Sequence, residues 1–314
     1  MEASHSLFII LGLQDIVFKW FVHRLATFVA VQHTSSMFNL PNTSINRLTF
    51  VDQMWHKNLG RPYKLHVHDH GGNGPVIIFL HGLASSSANW DNFVPLLTPN
   101  YHCISIDLIG FGESPKPQWY AYSIEDHVRN IATAIRRLQL RGRYILVGHS
   151  LGSLLAARLA LSEVTRLRRL ILLSPPVYGA LSAIDKRSAR QRTSMYLKAY
   201  RFVRTHKRIT PQNIIRLSRI LPPIKFLIVS QDSWIPVVRS LEQCIENQTF
   251  LQDIQKISLP IDIFYGVFDE VIVPYNIKQL TKLADVKLHP LKVNHIIGKR
   301  YAAAVASLLI PIRH

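Results

Sequence analysis

The chain has 314 residues, of which 48% are hydrophobic, enough to bury a large core and too many for a disordered protein. Its two cysteines are too few for a disulfide framework or a zinc site, which leaves two thiols in a reducing compartment, or one bridge, as the alternatives. The net charge of +18 is concentrated in His127–Gln231, which holds 21 of the 37 Lys and Arg residues and only two of the 19 acids.

The first 45 residues are predicted to form a helical extension. An apolar stretch at Leu7–Val31 is interrupted by four polar or charged residues, Asp15, Lys19, His23 and Arg24. Charges at its centre argue against a membrane span, and the stretch lacks the basic start and the small-residue cleavage site of a signal peptide. We therefore expect a cytoplasmic protein whose N-terminal helix packs on the domain, with a helix lying at a membrane interface as the alternative.

Short apolar runs, bounded by glycine, proline or polar turns, predict the strands of a sheet. In chain order they are Pro75–Leu80, His102–Asp107, Tyr144–Val147, Leu170–Leu173, Ile261–Tyr265 and a short last strand, Val286–Leu291. An earlier alternating stretch, Tyr63–His68, predicts an outer hairpin strand. Helical patterns lie at Ser123–Leu140, where Ser123 and Asp126 suit an N-cap, and at Ser150–Leu161. This alternation predicts an α/β fold with a mostly parallel sheet flanked by helices.

The strand pattern stops after residue 176 and resumes near residue 259. The interval Val177–Lys256 contains helical segments broken by three prolines, Pro211, Pro222 and Pro223. A helical insertion late in a regular sheet is a candidate cap over a site. This interpretation divides the chain into a core at 46–176 and 257–314 and a helical cap at 177–256.

The sequence Gly148-His149-Ser150-Leu151-Gly152 follows a predicted strand directly and begins a predicted helix. A chain that turns this sharply between strand and helix exposes the hydroxyl of the central serine in a strained conformation. The two glycines lack a β-carbon, so strand and helix can approach each other around the turn. We therefore predict Ser150 as a nucleophile, with an ordinary turn capped by a serine as the alternative.

A serine nucleophile needs a histidine to remove its proton and an acid to hold that histidine in one tautomer. Among 15 histidines, His295 is favoured because it lies just after the last strand and before a terminal helix, whereas its rival His289 lies inside that strand. Asp269 is predicted as the acid, because it follows the fifth apolar strand and can reach a histidine on the next loop. Glu270 and Asp232 are the alternatives.

The tetrahedral oxyanion formed by such a serine needs two hydrogen-bond donors. The backbone N–H of Leu151 lies at the start of a helix, where amides are unpaired and the dipole favours an anion. The second donor is expected at Leu83, in the loop His81–Ser87 that follows the strand Pro75–Leu80. This chemistry requires no metal and no organic cofactor.

Five motifs together resemble one known family, the capped α/β-hydrolases of the esterase, lipase and C–C hydrolase kind. They are His81-Gly82, Asp107–Pro115, Gly148–Gly152, Gly266–Pro274 and His295, and the resemblance extends from roughly Leu48 to the C-terminus. The order Ser, Asp, His along the chain also matches. The resemblance implies supporting roles for His81, Gly82, Gly148, His149 and Gly152.

The same resemblance implies that Asp107–Pro115 is a structural loop in which Gly110 and Gly112 make the turns, and that Val177–Lys256 is a cap that shapes the acyl or leaving-group pocket. The chain departs from the family at Ser153, where many relatives have glycine, and at Leu7–Val31, which lies outside the usual core. Relatives with an aspartate nucleophile, the dehalogenases and epoxide hydrolases, are excluded by a serine at that position.

The function predicted from these residues is hydrolysis of a small-molecule carboxylic ester or a lipid ester through an acyl-enzyme. A C–C bond hydrolase, an amidase or an acyltransferase would use the same residues, and a ligand-binding protein on this fold is an alternative of another class. The bases from Arg136 to Arg219 favour a solvated basic face, with peripheral contact with anionic membrane lipids as the alternative. No nucleic-acid recognition motif accompanies them. The oligomeric state stays open.

Overall fold

The computed structural model describes residues 51–178, 184, 186–205, 232–282 and 285–310. The predicted N-terminal extension at 1–45 lies outside the described residues, as does the centre of the predicted cap. Within the described ranges, no helix has both the length and the apolar character needed to cross a membrane. The described residues include every stretch that was predicted to form a strand.

A sheet of seven strands, in the order β1-β3-β2-β4-β5-β6-β7, forms the centre of the described chain. The strands are β1 (Val67–Asp69), β2 (Val76–Leu80), β3 (His102–Ile106), β4 (Tyr144–His149), β5 (Leu167–Leu173), β6 (Ile261–Gly266) and β7 (Val286–Leu291). Strands β2 to β7 pair in parallel, and β1 pairs antiparallel with β3. The predicted mostly parallel α/β sheet is therefore confirmed.

The outer strand differs from its prediction at Tyr63–His68. It begins later, at Val67, and it pairs with β3 rather than forming a hairpin with β2. Tyr63 and Leu65 are buried in the core instead, and the amide of Tyr63 donates to Asn130 Oδ1 at 2.6 Å. The alternation that suggested a strand therefore reflects core contacts, because the side chain of Asn130 takes the hydrogen bond that a neighbouring strand would have used.

Two helical layers cover the sheet. The helices are α1 (Val94–Leu97), α2 (Ile124–Arg137), α3 (Leu151–Glu163), α4 (Arg187–Thr205), α5 (Trp234–Ser240), α6 (Phe250–Lys256), α7 (Pro274–Gln279) and α8 (Lys299–Leu309). Short 3-10 or π-helical turns occur at Met54–Asn58, Ser87–Trp90, Leu241–Glu246 and Leu280–Lys282. Phe93 and Tyr301 belong to the core beneath α1 and α8, whereas Ile131 and Leu155 belong to the core beneath α2 and α3. Apolar surface is thus buried on both faces, as parallel sheets require.

The helix predicted at Ser123–Leu140 is α2, and its start follows the predicted cap. Ser123 Oγ accepts from the amide of Asp126 at 3.1 Å, and a carboxylate oxygen of Asp126 accepts from the amide of Ser123 at 3.2 Å. These reciprocal bonds satisfy two backbone donors that a helix start leaves open. Helix α3 begins one residue after Ser150 and ends at Glu163.

Part of the predicted cap segment packs directly on the core. Helix α6 lies against α3, where Arg158 Nε is 3.0 Å from an Asp253 carboxylate oxygen. At the end of α5, Ser240 Oγ is 3.1 Å from Nε2 of His127 on α2. The second half of the segment is therefore joined to the helix layer of the core by polar contacts.

The two cysteines form no bridge. Cys103 and Cys244 are both free and buried, so the predicted thiols are confirmed and the bridge is excluded. Burial raises the pKa of the Cys103 thiol to about 12 and raises that of Cys244 further. Thiols held protonated in this way are unreactive, which favours a packing role for both.

The stability of the fold should fall in acid because of His127. This ring is fully buried, its Nδ1 has no hydrogen-bond partner among the described residues, and burial lowers its pKa to about 3. An unfolded chain binds the same proton near about pH 6.5. The free energy of unfolding is therefore expected to decrease as the pH falls from about 6.5 towards 3.

Replacing His127 by Gln, which does not titrate, should reduce that decrease by a few kcal/mol, as measured by urea unfolding over a pH series. The amide can still bond Ser240. The same substitution at the exposed His68 controls for the change of residue. An unchanged pH dependence in His127→Gln would contradict this account.

Candidate active site

Ser150 occupies the turn between β4 and α3, and its backbone is strained. Its φ is 52° and its ψ is −118°, a region that residues with a β-carbon rarely adopt. Such a conformation typically costs about 1–3 kcal/mol, so the surrounding structure must hold it in place. The amide of Ser150 donates to Leu173 O at 2.9 Å, which ties the turn to β5.

The glycines on either side of Ser150 allow strand and helix to meet. A β-carbon on Gly148 would lie 2.3 Å from the carbonyl oxygen of Gly152, and one on Gly152 would lie 2.2 Å from that of Leu80. Neither position has room for a side chain. Ser153 fills the remaining space, with its Oγ 2.8 Å from Gly148 O and 3.1 Å from Leu173 O. Its hydroxyl thus joins helix α3 to the sheet.

The structure brings Ser150, His295 and Asp269 together. Ser150 Oγ lies 3.0 Å from His295 Nε2, and His295 Nδ1 lies 2.8 Å from Asp269 Oδ2. All three are buried, with 7%, 5% and 1% of their surface exposed. With Nδ1 donating to the carboxylate, Nε2 of a neutral ring is left to accept the serine proton. This arrangement has the geometry for base-assisted nucleophilic attack.

The rivals named from sequence lie in other surroundings. His289 stacks on Phe264, and its Nε2 is 2.8 Å from a carboxylate oxygen of Asp262. Asp232 is exposed, and its carbonyl oxygen accepts from Gln118 at 2.8 Å. Asp269 contacts the His295 ring, and Glu270 is the next residue along the chain.

Asp269 is held as a carboxylate. Burial alone would raise its pKa, but His295 and hydrogen bonds that include one from Ser174 lower the pKa below the usual value. Its Oδ1 accepts from the amides of Val271 and Ile272 at 2.8 and 3.3 Å. The carboxylate therefore keeps its charge opposite the ring that it orients.

His149, inside the motif, contacts the same histidine from behind. Its Nε2 lies 3.0 Å from the carbonyl oxygen of His295, and its Nδ1 lies 3.4 Å from Asn89 Nδ2. The Nδ2 amino group of Asn89 can only donate, so His149 Nδ1 accepts from it and His149 Nε2–H donates to the carbonyl oxygen of His295. Burial, followed by the charge of His295, lowers the pKa of His149 to about 3, so the ring stays neutral.

The loop predicted to hold the second oxyanion donor lies against Ser150. A β-carbon built on Gly82 would lie 3.1 Å from Ser150 Cβ. Among the described residues, the amide of Leu83 has no hydrogen-bond acceptor. His81 donates from Nδ1 to the carbonyl of Gly82 at 2.8 Å, and its Nε2 accepts from the amide of Leu108 at 3.0 Å. Burial lowers the pKa of His81, which is therefore a neutral support for this loop.

Asp107 joins this loop to the Asp107–Pro115 segment. One of its carboxylate oxygens accepts from the amide and the hydroxyl of Ser87 at 2.6 and 2.7 Å, and the other accepts from the amide of Glu113 at 2.8 Å. The backbone at Gly110 and Gly112 has φ of +92° and +53°, so both glycines make turns. The buried carboxylate thus fixes two loops at once.

Several contacts around the site were not predicted from sequence. Ser174 Oγ is 2.7 Å from Tyr301 OH, and Arg192 on α4 donates to the carbonyl oxygen of Asp269 at 3.1 Å. Asn89 is the third. None of them lies in a motif, and each meets its partner across at least 60 residues of chain, so no local pattern marks them.

No metal centre accompanies these residues in the described ranges, where no group of three or more His, Cys, Asp or Glu is placed to hold an ion. The polar groups of the site are instead paired with each other.

A family model described as "alpha/beta hydrolase fold" matches residues 75–297. The chain is 39% identical over 108 residues to the probable lysophospholipase BODYGUARD 2 of Arabidopsis thaliana, covering 32% of this chain and 23% of that protein. It is 46% identical over 88 residues to a haloalkane dehalogenase of Bradyrhizobium diazoefficiens, covering 28% of each protein.

A longer match, 27% identical over 208 residues, is to the pimeloyl-[acyl-carrier protein] methyl ester esterase of Legionella pneumophila, covering 66% of this chain and 80% of that protein. The chain thus spans about a quarter of the length of the first two relatives and most of the length of the third.

The strain at Ser150 should be measurable. The free energy of unfolding of Ser150→Gly is expected to be about 1 kcal/mol higher than that of Ser150→Ala, because glycine adopts this φ without a β-carbon clash. Urea unfolding of the two variants makes the comparison. Ala157→Gly, inside α3, is the control and should destabilise by about 1 kcal/mol. Equal or lower stability of Ser150→Gly would contradict the strain.

Proposed function

The chain belongs to the α/β-hydrolase fold family, and on that premise we propose that it is a serine hydrolase that cleaves carboxylic esters through an acyl-enzyme. The observation that carries the proposal is the 3.0 Å contact between Ser150 Oγ and His295 Nε2 at a strained strand–helix turn. The relatives bear names of hydrolases, among them a lysophospholipase and a methyl ester esterase.

In the proposed reaction, Ser150 Oγ attacks the ester carbonyl carbon while His295 Nε2 takes the hydroxyl proton. The carbonyl oxygen becomes an oxyanion, for which the amides of Leu83 and Leu151 are the proposed donors. When the C–O bond breaks, His295 returns the proton to the leaving alcohol. Water then attacks the acyl-enzyme by the same path, releasing the acid and restoring Ser150. Asp269 stabilises the imidazolium that forms in each half.

The chemistry of serine favours an ester over an alkyl halide, although one relative is a haloalkane dehalogenase. Displacement of a halide by Ser150 would leave an ether on the enzyme, and an ether has no carbonyl for water to attack. Displacement at an ester leaves an acyl group, which water can remove. Turnover with a serine nucleophile therefore requires an acyl substrate.

We further propose that Val177–Lys256 acts as the cap of this site. Its helix α4 contacts the acid loop, since Arg192 donates to the carbonyl of Asp269 and Thr193 Oγ1 is 3.1 Å from Asn276 Nδ2. Tyr178, at the start of the segment, donates to the carbonyl of Val271. These contacts support the proposal for helix α4 and Tyr178, which lie beside the loop that carries Asp269, where they could shape the pocket for the acyl or leaving group.

His149 has a positioning role in this proposal. Its Nε2–H holds the carbonyl oxygen of His295 at 3.0 Å, while Asp269 holds the ring of the same residue at 2.8 Å. The backbone and the ring of His295 are thus fixed independently. Because His149 stays neutral, it orients the base without adding a charge that would oppose the imidazolium formed in the reaction.

Loss of the nucleophile should abolish activity. Wild-type protein is expected to hydrolyse a short-chain p-nitrophenyl ester with a burst, and to be labelled by a fluorophosphonate, whereas Ser150→Ala should show neither. The residual rate should be lower by at least about 1000-fold. Ser153→Ala, one turn into α3, controls for loss of a hydroxyl near the site. A folded wild type that is neither active nor labelled would exclude the serine hydrolase.

Removing the support behind His295 should slow the chemical step. His149→Ala is expected to lower kcat by about tenfold with KM nearly unchanged, because the base is misplaced while the pocket is intact. His149→Gln carries an N–H near the position of Nε2 and should recover most of kcat. Steady-state kinetics on the same ester make the comparison. Equal losses in both variants, or a change confined to KM, would show that His149 only fills space.

A further inference from the structure

Large apolar side chains are exposed on the two loops that carry the proposed acid and base. Phe268 and Val267, just before Asp269, are 65% and 42% exposed, and Ile296, just after His295, is 55% exposed. The two loops are neighbours, since the amides of Val267 and Phe268 donate to the carbonyls of Leu291 and Val293 at 2.8 and 3.2 Å. Three apolar side chains therefore stand in water beside a buried polar site.

Three cations lie on the same stretch of chain as Ile296, one before it and two after it. Lys292, Lys299 and Arg300 are exposed, and Arg300 Nη1 donates to the carbonyl oxygen of Lys292 at 3.0 Å, which places both on one surface. None of the three forms an ion pair with a described residue, and the sequence holds no acid from residue 286 onward. We call the three apolar and three basic residues the rim patch; they are Val267, Phe268, Ile296, Lys292, Lys299 and Arg300.

We propose that the rim patch docks onto an anionic lipid surface and presents Ser150 to ester-bearing lipids there. The apolar side chains would enter the boundary between headgroups and acyl chains, and the cations would meet the headgroup phosphates. The inference rests on the proposed function only in taking those lipids as substrates.

The composition of the patch favours a lipid surface over other partners. A nucleic acid would match the cations but would leave Val267 and Ile296 in contact with water or phosphate. A stable protein interface buries about 800 Å² on each partner, which is more than these few side chains supply. A lipid surface offers anionic and apolar layers at successive depths, so it is the partner that satisfies both kinds of side chain.

The direction of the sheet gives this docking an orientation. The rim patch and Ser150 lie at the carboxyl ends of parallel strands. The positively charged segment His127–Gln231 has seven arginines at or near the opposite ends of β4 and β5. They are Arg136, Arg137, Arg141, Arg143, Arg166, Arg168 and Arg169. The six residues of β4 separate the two edges by about 20 Å. A membrane bound to those arginines would face away from the site, whereas one bound to the rim patch would face it.

Sedimentation of full-length protein with vesicles of phosphatidylcholine, with or without phosphatidylserine, tests the proposal. Wild type is expected to bind the mixed vesicles. The pair Lys299→Gln and Arg300→Gln should lower the partition coefficient by roughly tenfold to thirtyfold, and Phe268→Ser by roughly fivefold. Circular dichroism and thermal unfolding establish that each variant is folded, and the two kinds of variant test the patch independently.

Matched controls distinguish binding through this surface from the effect of net charge and from non-specific apolar adsorption. Arg137→Gln with Arg168→Gln removes the same charge from the opposite edge, and Leu96→Ser removes an apolar side chain that is 43% exposed on α1. Both should bind like wild type. Loss of binding in the arginine pair equal to that in the rim pair, full binding by the rim variants, or no binding by wild type would each overturn the proposal.

Binding by Ser150→Ala separates the two proposals. Docking does not use the nucleophile, so this variant should bind vesicles as wild type does. A wild type that docks through the rim patch but fails the ester test would disprove the hydrolase and keep the docking surface. An active esterase that does not bind the vesicles would support the hydrolase and disprove the docking surface.

Discussion

The strained turn at Ser150 is the constraint on which the rest of the site depends. A backbone with φ of 52° at a serine persists only where its neighbours leave no alternative. Strand β4 and helix α3 provide that confinement, because Gly148 and Gly152 bring them so close that even a β-carbon would collide with backbone oxygen. The same closeness leaves the first amides of α3 beside the hydroxyl. The proposed nucleophile, Ser150, and the proposed oxyanion donor, Leu151, therefore belong to one turn at the start of α3.

His295, the proposed base, is held at its ring and also at its backbone. Asp269 bonds the ring of His295, and His149 bonds its backbone carbonyl. Burial works differently on the two supports. It keeps His149 neutral, with a pKa of about 3, whereas for Asp269 it is outweighed by the facing histidine and several donors, which keep the carboxylate charged. One support orients without charge and the other stabilises charge, so the site separates two tasks that a single residue could not perform together.

The sequence carries enough information for the strands and for residues that act within a motif or at a strand end. Ser150, Asp269 and His295 could be named because the carboxyl ends of parallel strands meet at one edge, so residues far apart in the chain converge there. The outer strand was predicted to begin at Tyr63 but begins at Val67, because burial of Tyr63 and Leu65 in the core produces the same alternation as a strand. Asn89 could not be found, since its contact with His149 depends on how the turn Ser87–Trp90 packs against the end of β4 and not on any local period.

The net charge of the chain says less about a partner than the positions of the charges do. The segment His127–Gln231 suggested an anionic partner from its net charge alone. A partner responds to the charges that face it, because electrostatic fields are screened over about 8 Å in physiological salt. Much of the positive charge in the described residues lies at the edge of the sheet opposite Ser150. The rim patch holds only three cations, yet it also exposes Phe268 and Ile296 beside the site. Apolar insertion is short-ranged and directional, so it can set an orientation that a diffuse charge of larger size cannot.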